Sequence, residues 1–563
     1  MNEDTDSDPK EGDEEEEEEN LSEEQPSATA KSKKKKKKKR KKEKKVDETA
    51  KDDSQDDSID EIERSLREVN KLLGEPVQPG SSRTQERPPQ TLREKIMSIE
   101  PKFLNPQNEL KRICGSKVIP GEKSRNRGRT TYLRKTWLTA ISDWYPVGKT
   151  GLSMTLDEST PPQPGVQYFV FVHSPEYRSA QERFHSVVEN MNPELLVSMI
   201  NAHPYHVDSL MQFADVCRFN EDLQLAAELV ERAVHSLECA FHPSFHIAAG
   251  NCRLNYKMQT NRALFLALFK HLTFIGSRAC YRTSLELSKV LLSLDPIDDP
   301  MAIVLSIDLY ALRAREYDWF INFCETWNDE RNLTQLPNIA YGLALAHFRL
   351  DHKEKAAELL QDALFMFPGV LLKLLDKCGV NTDTRVIGHD YFGVKAKDST
   401  SKALRLLESL YIARSFHLWK EADVLPFLET NVTAVMDRID AGDEYAKFCE
   451  MKRSKRYQGR PPRNILRHLA LSDFKEISFS ETHRPGDGPY YAHDPYPPLD
   501  SIDIYPKPGT QAPMGVLSAD TNASNLFTLF VSSLFGDVAQ ALPNRAEGDR
   551  ENEEQPPPTG EVD

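Results

Sequence analysis

Residues 336–368 read LPNIAYGLALAHFRLDHKEKAAELLQDALFMFP, and their apolar positions fall twice on one side of a helix. Ile339, Leu343, Ala346 and Leu350 make the first stripe, and Ala356, Leu359, Leu360, Ala363 and Phe367 the second, with Asp351 and His352 in the turn between. Ala344, Ala356, Leu360, Ala363 and Pro368 stand at the offsets of a tetratricopeptide repeat, where small residues let two antiparallel helices approach and proline stops the second. Neither helix can bury its stripe alone, so related pairs must stack on either side. Phe213, Ala214, Ala226, Val230 and Ala233 repeat the offsets over 207–219 and the helix that follows. The pattern predicts further helices at 179–190, 193–201, 283–294, 301–313, 319–327, 403–415 and 423–439, and a short strand pair at 151–156 and 166–172. Similar pairs recur at irregular spacing. The predicted class is therefore mainly α: a degenerate tetratricopeptide-like α-solenoid with a small β insertion and long disordered termini.

The polar stretches divide the chain. Residues 1–57 alternate acidic and basic blocks: 14–19 are all glutamate, and 31–45 hold thirteen basic residues and one acid. That run contributes +12 to a chain of net charge −15, leaving −27 elsewhere. Such blocks stay solvated, because like charges repel and no apolar surface repays the ordering entropy. Lys33, Lys35, Lys37, Lys39 and Arg40 are candidate contacts to an RNA backbone, with a nuclear import signal or a solubilising tail as the other readings. Residues 58–74 predict one amphipathic helix, capped by Ser58 with Glu61 and stopped at Gly74. Its Ile59, Ile62, Leu66, Val69 and Leu73 repeat in heptads, and Ile62, Leu66 and Val69 are candidate partner contacts. A linker at 75–90 leads to the scaffold at 91–478, with its β insertion near 151–172. A Pro-rich extended segment is expected at 479–515, an apolar helix at 516–543 and a disordered tail at 544–563. Within 525–535, Phe527, Phe530 and Leu534 are too apolar to be left in water, so the segment packs into the solenoid groove, which is the favoured reading, or they are candidate partner contacts.

Chemistry is sparse. The basic run and helix near the start do not make a DNA-reading motif, since twelve residues, six of them acidic, separate Lys45 from Ser58. Gly148-Lys149-Thr150 resembles the end of a phosphate-binding loop, but Asp143 stands where that loop needs glycine. Cys239, His242, His246 and Cys252 are the one compact set of zinc-type ligands, against which an inter-repeat turn ended by His242-Pro243 is the favoured reading. No metal or cofactor is expected, and no catalytic residue. Residues 126–135, with Tyr132 among arginines, and the denser stretch 452–467 mix basic side chains with tyrosine. Lys452, Arg453, Lys455, Arg456 and Arg460 are candidate RNA or ribosome contacts, with an acidic protein as the other partner and an exposed cationic loop as the equal alternative. The eight cysteines contain no CxxC, no stretch is apolar enough to span a membrane, and the acidic opening is unlike a secretory signal, so a soluble intracellular protein is expected.

The stretches FVHSPEYRSAQERFHSVVENMNPELL, NAHPYHVDSLMQFADVCRFNEDLQLA and LPNIAYGLALAHFRL resemble the transcription factor 25 family, also called nuclear localized protein 1. Its fungal relatives are the ribosome quality control complex subunit 1 proteins. The similarity covers about residues 90–540. It implies a non-catalytic adaptor working with a listerin-type E3 ubiquitin ligase, ubiquitin and the nascent-chain export mediator on stalled large ribosomal subunits. It further implies degradation-type ubiquitin chains on the trapped nascent chain, recruitment of the valosin-containing AAA ATPase, and residence both on cytoplasmic ribosomes and in the nucleus. The family's older name implies a rival role, transcriptional repression through bound transcription factors.

Overall fold

The computed structural model describes residues 92–115, 136–139, 150–161, 163–190, 193–472, 474, 477 and 491–505. The chain divides into two units. Met1–Glu86 lies outside the described residues, and everything below concerns Arg87–Asp563. Two short helices come first (α1, Leu92–Ile96; α2, Pro106–Cys114), then two strands (β1, Leu152–Leu156; β2, Gln167–His173). Four helices (α3, Pro175–Glu189; α4, Pro193–Ala202; α5, Val207–Phe219; α6, Leu223–Cys239) lead to a third strand (β3, Cys252–Leu254). The central hairpins follow as α7, Gln259–Ser277, with α8, Tyr281–Leu294; α9, Ile307–Arg313, with α10, Tyr317–Arg331; and α11, Pro337–Arg349, with α12, Lys353–Met366. Beyond them lie α13, Leu371–Cys378; α14, Thr384–Ile387; α15, Val394–Ser399; α16, Lys402–Trp419; α17, Val424–Asp440; α18, Glu444–Lys455; and α19, Arg463–Ser472.

Helices pack onto their chain neighbours, and α12 also packs on α17 and α18, so apolar stripes that no hairpin could cover alone close into one large core, with a smaller cluster around Leu406 and Leu469 beside it. Ala344, Ala356, Leu360 and Ala363 are all buried, as the tetratricopeptide offsets require. The solenoid class is thus what the sequence pattern led us to expect.

The turns carry a regularity that the sequence conceals. Glu221, Ala279, Arg315 and Asp351 each adopt the left-handed conformation, with φ between 61° and 63°. In each turn the next residue donates its backbone N–H to the carbonyl five residues back, as Asp222 does to Cys217, Cys280 to Ile275, Glu316 to Ala311 and His352 to His347. Ala279, Arg315 and Asp351 stand 36 residues apart, so the three central hairpins share a period close to that of a tetratricopeptide repeat. A β-carbon in this conformation costs about 1–2 kcal/mol, more than glycine loses through its freer unfolded chain. Ala279→Gly should accordingly stabilise the protein by about 0.5–1 kcal/mol in urea unfolding. An unchanged or lowered midpoint would deny that turn its left-handed residue.

Three elements differ from expectation. Helix α9 starts at Ile307 rather than at 301, because Ala302 is left-handed and the buried Asp299 carboxylate accepts the N–H groups of Ile303 and Val304, holding a separate 3-10 turn. The strand pair is antiparallel, with Leu152 opposite His173, but β3 joins β2 in parallel and makes a three-stranded sheet of order β1-β2-β3. Helix α7, the longest among the described residues, carries no narrow stripe because thirteen of its nineteen residues are buried.

Two short segments are fastened to the hairpins by carboxylates. Glu109 of α2 accepts the N–H groups of Arg282 and Thr283, capping α8 from another part of the chain. Glu238 of α6 accepts the N–H groups of Trp137 and Leu138.

Candidate functional site

After α19 the described chain resumes at 491–505, a strap that lies across β2, α3 and the start of α7. Proline leaves this stretch without a helix of its own, and the body satisfies its backbone instead. Ile502 donates its N–H to the Lys257 carbonyl at 2.8 Å and accepts from Gln259 N–H at 3.0 Å, a short parallel bridge. The Gln259 side-chain oxygen accepts the N–H groups of Ile504 and Tyr505.

Two buried arginines clamp the strap. Arg262, 2% exposed, points Nη1 at Asp494 (2.6 Å) and Nη2 at Asp503 (2.9 Å), while its Nε donates to the Tyr256 carbonyl. Arg467, also 2% exposed, donates to the carbonyls of Pro300, Pro495 and Tyr496 and sits over the Tyr256 ring. A guanidinium fits this task because five N–H groups in one plane satisfy carbonyls from several segments together.

Beneath the strap, three imidazoles line a cavity of about 40 Å³, enough for a few waters at most, and a fourth packs beside it against Tyr177. His173 comes from β2, His185 from α3, His206 from the cap of α5 and His493 from the strap. Their partners set the proton positions. Ser209 N–H donates to His206 Nδ1, so His206 Nε2–H donates to the Gln181 oxygen at 2.9 Å. The Gln181 amide in turn donates to Asp208 (2.6 Å) and to His185 Nε2 (3.2 Å). Tyr505 of the strap meets His173 Nδ1 at 2.6 Å. Burial pulls His173 and His185 down to about 4, and His206 and His493 to about 3, so all four are neutral near pH 7.

At His493 the nearby His185 and Lys270 add to the effect of burial. Asp208 moves the opposite way, pushed up to about 6 by burial, with the Gln181 hydrogen bond resisting. Most polar groups of this cluster are spent on one another, His493 Nδ1 and Asp494 Oδ1 being the exceptions, and what they achieve is to hold the strap on the body.

The candidates read from sequence fall into three groups. Lys33, Lys35, Lys37, Lys39, Arg40, Ile62, Leu66, Val69, Phe527, Phe530 and Leu534 lie outside the described residues, as do Gly148 and Lys149. Lys455 and Arg460 are exposed, and Lys452 and Arg456 are half-buried at the surface of the same segment. Lys452 lies over the ring of Phe448, itself 41% exposed, so α18 presents a basic and aromatic face. Arg453 does not belong to that face. It is fully buried, and its guanidinium turns inward to the Phe365 carbonyl, the Tyr391 hydroxyl at 3.2 Å and Ser399 Oγ. As a contact to RNA it is therefore withdrawn.

The cysteine and histidine set does not converge. Cys252 faces the carbonyl of His246, Cys239 faces the ring of His235, and His242 packs against Phe169. Among the described residues no three His, Cys, Asp or Glu side chains are placed to share a metal ion. No helix among them is long and apolar enough to cross a membrane.

A family model described as "Transcriptional repressor TCF25" matches residues 169–498, from β2 into the strap. The chain is 40% identical over 512 residues to the mouse (Mus musculus) protein named "Ribosome quality control complex subunit TCF25", covering 88% of this chain and 72% of that one. The human (Homo sapiens) protein of the same name is 40% identical over 515 residues, covering 89% and 72%. The Schizosaccharomyces pombe protein "Ribosome quality control complex subunit 1" is 27% identical over 512 residues, covering 89% and 71%. No solved structure matches.

Proposed function

Because the chain belongs to the transcription factor 25 family, we propose that it is a non-catalytic adaptor of ribosome-associated quality control. The observation that carries this reading is the shared name of relatives that align along most of this chain, joined to a body of stacked hairpins suited to holding other proteins. In this role it works with the listerin-type E3 ligase and ubiquitin, beside the nascent-chain export mediator, on large ribosomal subunits that carry a stalled chain. It favours degradation-type ubiquitin chains and helps recruit the valosin-containing AAA ATPase for extraction. An adaptor of this kind acts by positioning, since fixing two reactants in one geometry removes much of the entropy cost of their encounter.

Ribosome contact in this reading is made by the basic block near residues 33–40 and by the exposed face of α18 with the turn after it, through Lys452, Lys455, Arg456 and Arg460. The block near 33–40 also serves nuclear import, which gives the protein a cytoplasmic and a nuclear pool. Sucrose-gradient sedimentation tests the proposal. At low salt the protein should travel with large subunits bearing stalled chains, and Lys452→Glu with Lys455→Glu should move part of it to the top. A protein that stays at the top under those conditions is not such an adaptor. The description of the matching family model favours a second reading, a nuclear co-regulator that binds transcription factors through the same helices. Sequence-specific binding of duplex DNA that persists at high salt would support that reading instead.

A further inference from the structure

The hairpin period brings like residues together at one end of the central repeats. Arg313 and Arg349 stand 36 residues apart in the last turns of α9 and α11, and Tyr281 and Tyr317 stand 36 residues apart at the starts of α8 and α10. With Arg315 of the intervening turn they line a pocket of about 480 Å³. Its apolar lining is Leu312, Leu345 and Leu418. A last-turn arginine suits the negative end of any helix, but that preference does not account for three arginines from two repeats meeting around one cavity.

The charges in the pocket are unequally engaged. Arg349 is held by Glu421 and Asp423. Arg313 stacks on Tyr281, 4.8 Å from the ring centre, and donates to its hydroxyl at 3.0 Å. Arg315 is exposed and makes no ion pair among the described residues. His417 nearby is pulled below its ordinary value, first by loss of water and then by Arg313, Lys420 and Lys377. In a chain of net charge −15, this is a local surplus of positive charge around an apolar floor.

We propose that this pocket docks an acidic peptide of a partner protein, with an apolar side chain on the leucine floor and flanking carboxylates on Arg313 and Arg315. A carboxylate can take two parallel hydrogen bonds from a guanidinium, which gives such a contact its geometry as well as its charge. A nucleic-acid strand fits less well, because the floor is aliphatic and Arg313 already covers one face of Tyr281, which leaves less aromatic surface for a base to stack on. The proposal deepens the adaptor reading by giving it a docking surface, yet its test contains no ribosome, so either can fail without the other.

The test is fluorescence anisotropy on the full chain with a short fluorescein-labelled peptide that alternates pairs of acidic residues with leucine. Competitors are the same peptide with serine for leucine and an oligouridylate of equal charge. The leucine peptide should bind saturably, and Arg315→Glu, at an exposed turn, should weaken it by about tenfold or more while leaving thermal unfolding unchanged. The serine peptide should compete poorly. Absence of saturable binding, equal affinity in Arg315→Glu, or tighter competition by the oligouridylate would each overturn the proposal, the last in favour of RNA.

Discussion

Arg453→Ala should lower the unfolding free energy by about 3–5 kcal/mol, whereas Lys455→Ala, two residues further on, should stay within about 0.5 kcal/mol of the parent. The difference follows from where the charges go. Lys455 is exposed to solvent. Arg453 has no exposure, and its planar fork joins the end of α12 to Tyr391 and α15 through the Phe365 carbonyl, the Tyr391 hydroxyl and Ser399. Alanine would leave the Phe365 carbonyl with the Tyr391 hydroxyl as its remaining side-chain donor and open a cavity the size of the buried side chain. It would also remove a cation that helps to hold down the pKa of buried Glu408, which burial already pushes up to about 7. Lysine should recover only part of the loss, because a single ammonium cannot serve three separated acceptors. Urea unfolding of the three variants decides the matter. Equal midpoints for Arg453→Ala and the parent would mean that the fork contributes nothing. The result bears on the ribosome contact as well, since a cluster substitution that included Arg453 would lose binding by unfolding and would say nothing about RNA.

Arg453 also marks where reading the sequence stops. A basic residue in a basic stretch signals exposure, and the groups that turn this one inward lie 54 to 88 residues away. Arg262 and Arg467 were equally invisible, for their partners sit in a strap that carries no periodic pattern of its own. The helix pair at 337–366 was legible because each helix has one buried side, and helix α7 was not, because burial over most of its circumference widens the stripe until it no longer reads as one face. The period of 36 residues escaped for another reason. Turns that would advertise themselves with glycine are built here on Ala279, Arg315 and Asp351, held left-handed by backbone hydrogen bonds that no residue type announces. His206 directly precedes the helix that the sequence predicts at 207–219. Its companions His173, His185 and His493 come from three other segments, and only the fold brings them together.

That convergence makes the strap sensitive to acid. Below pH 6.5 the strap should open progressively, and by about two orders of magnitude in population for each pH unit. Folded His173 and His185 titrate near 4 and His493 near 3, in each case chiefly because burial disfavours the imidazolium. Once released into water they return toward 6.5, so opening takes up about three protons in the window between pH 6 and 4.5. The stabilisation from keeping them neutral is thus complete above pH 6.5 and is lost as the pH falls toward the folded values. Asp208 works against this. Its folded value of about 6 lies above the 3.8 of a solvated aspartate, so opening releases one proton in the same window and leaves a net uptake of about two. Arg178, beside His173, and Lys270, beside His493, reinforce the depression of the imidazoles, which adds to the drive to open. Hydrogen exchange over 491–505, corrected for the intrinsic pH dependence of exchange, measures the open population directly. His493→Asn removes one titrating group and should reduce the slope to about tenfold per unit. If protection of the strap is the same at pH 7 and pH 4.5, the three imidazoles are not what couples it to the body, and the clamps of Arg262 and Arg467 with the backbone bridge at Ile502 hold it instead.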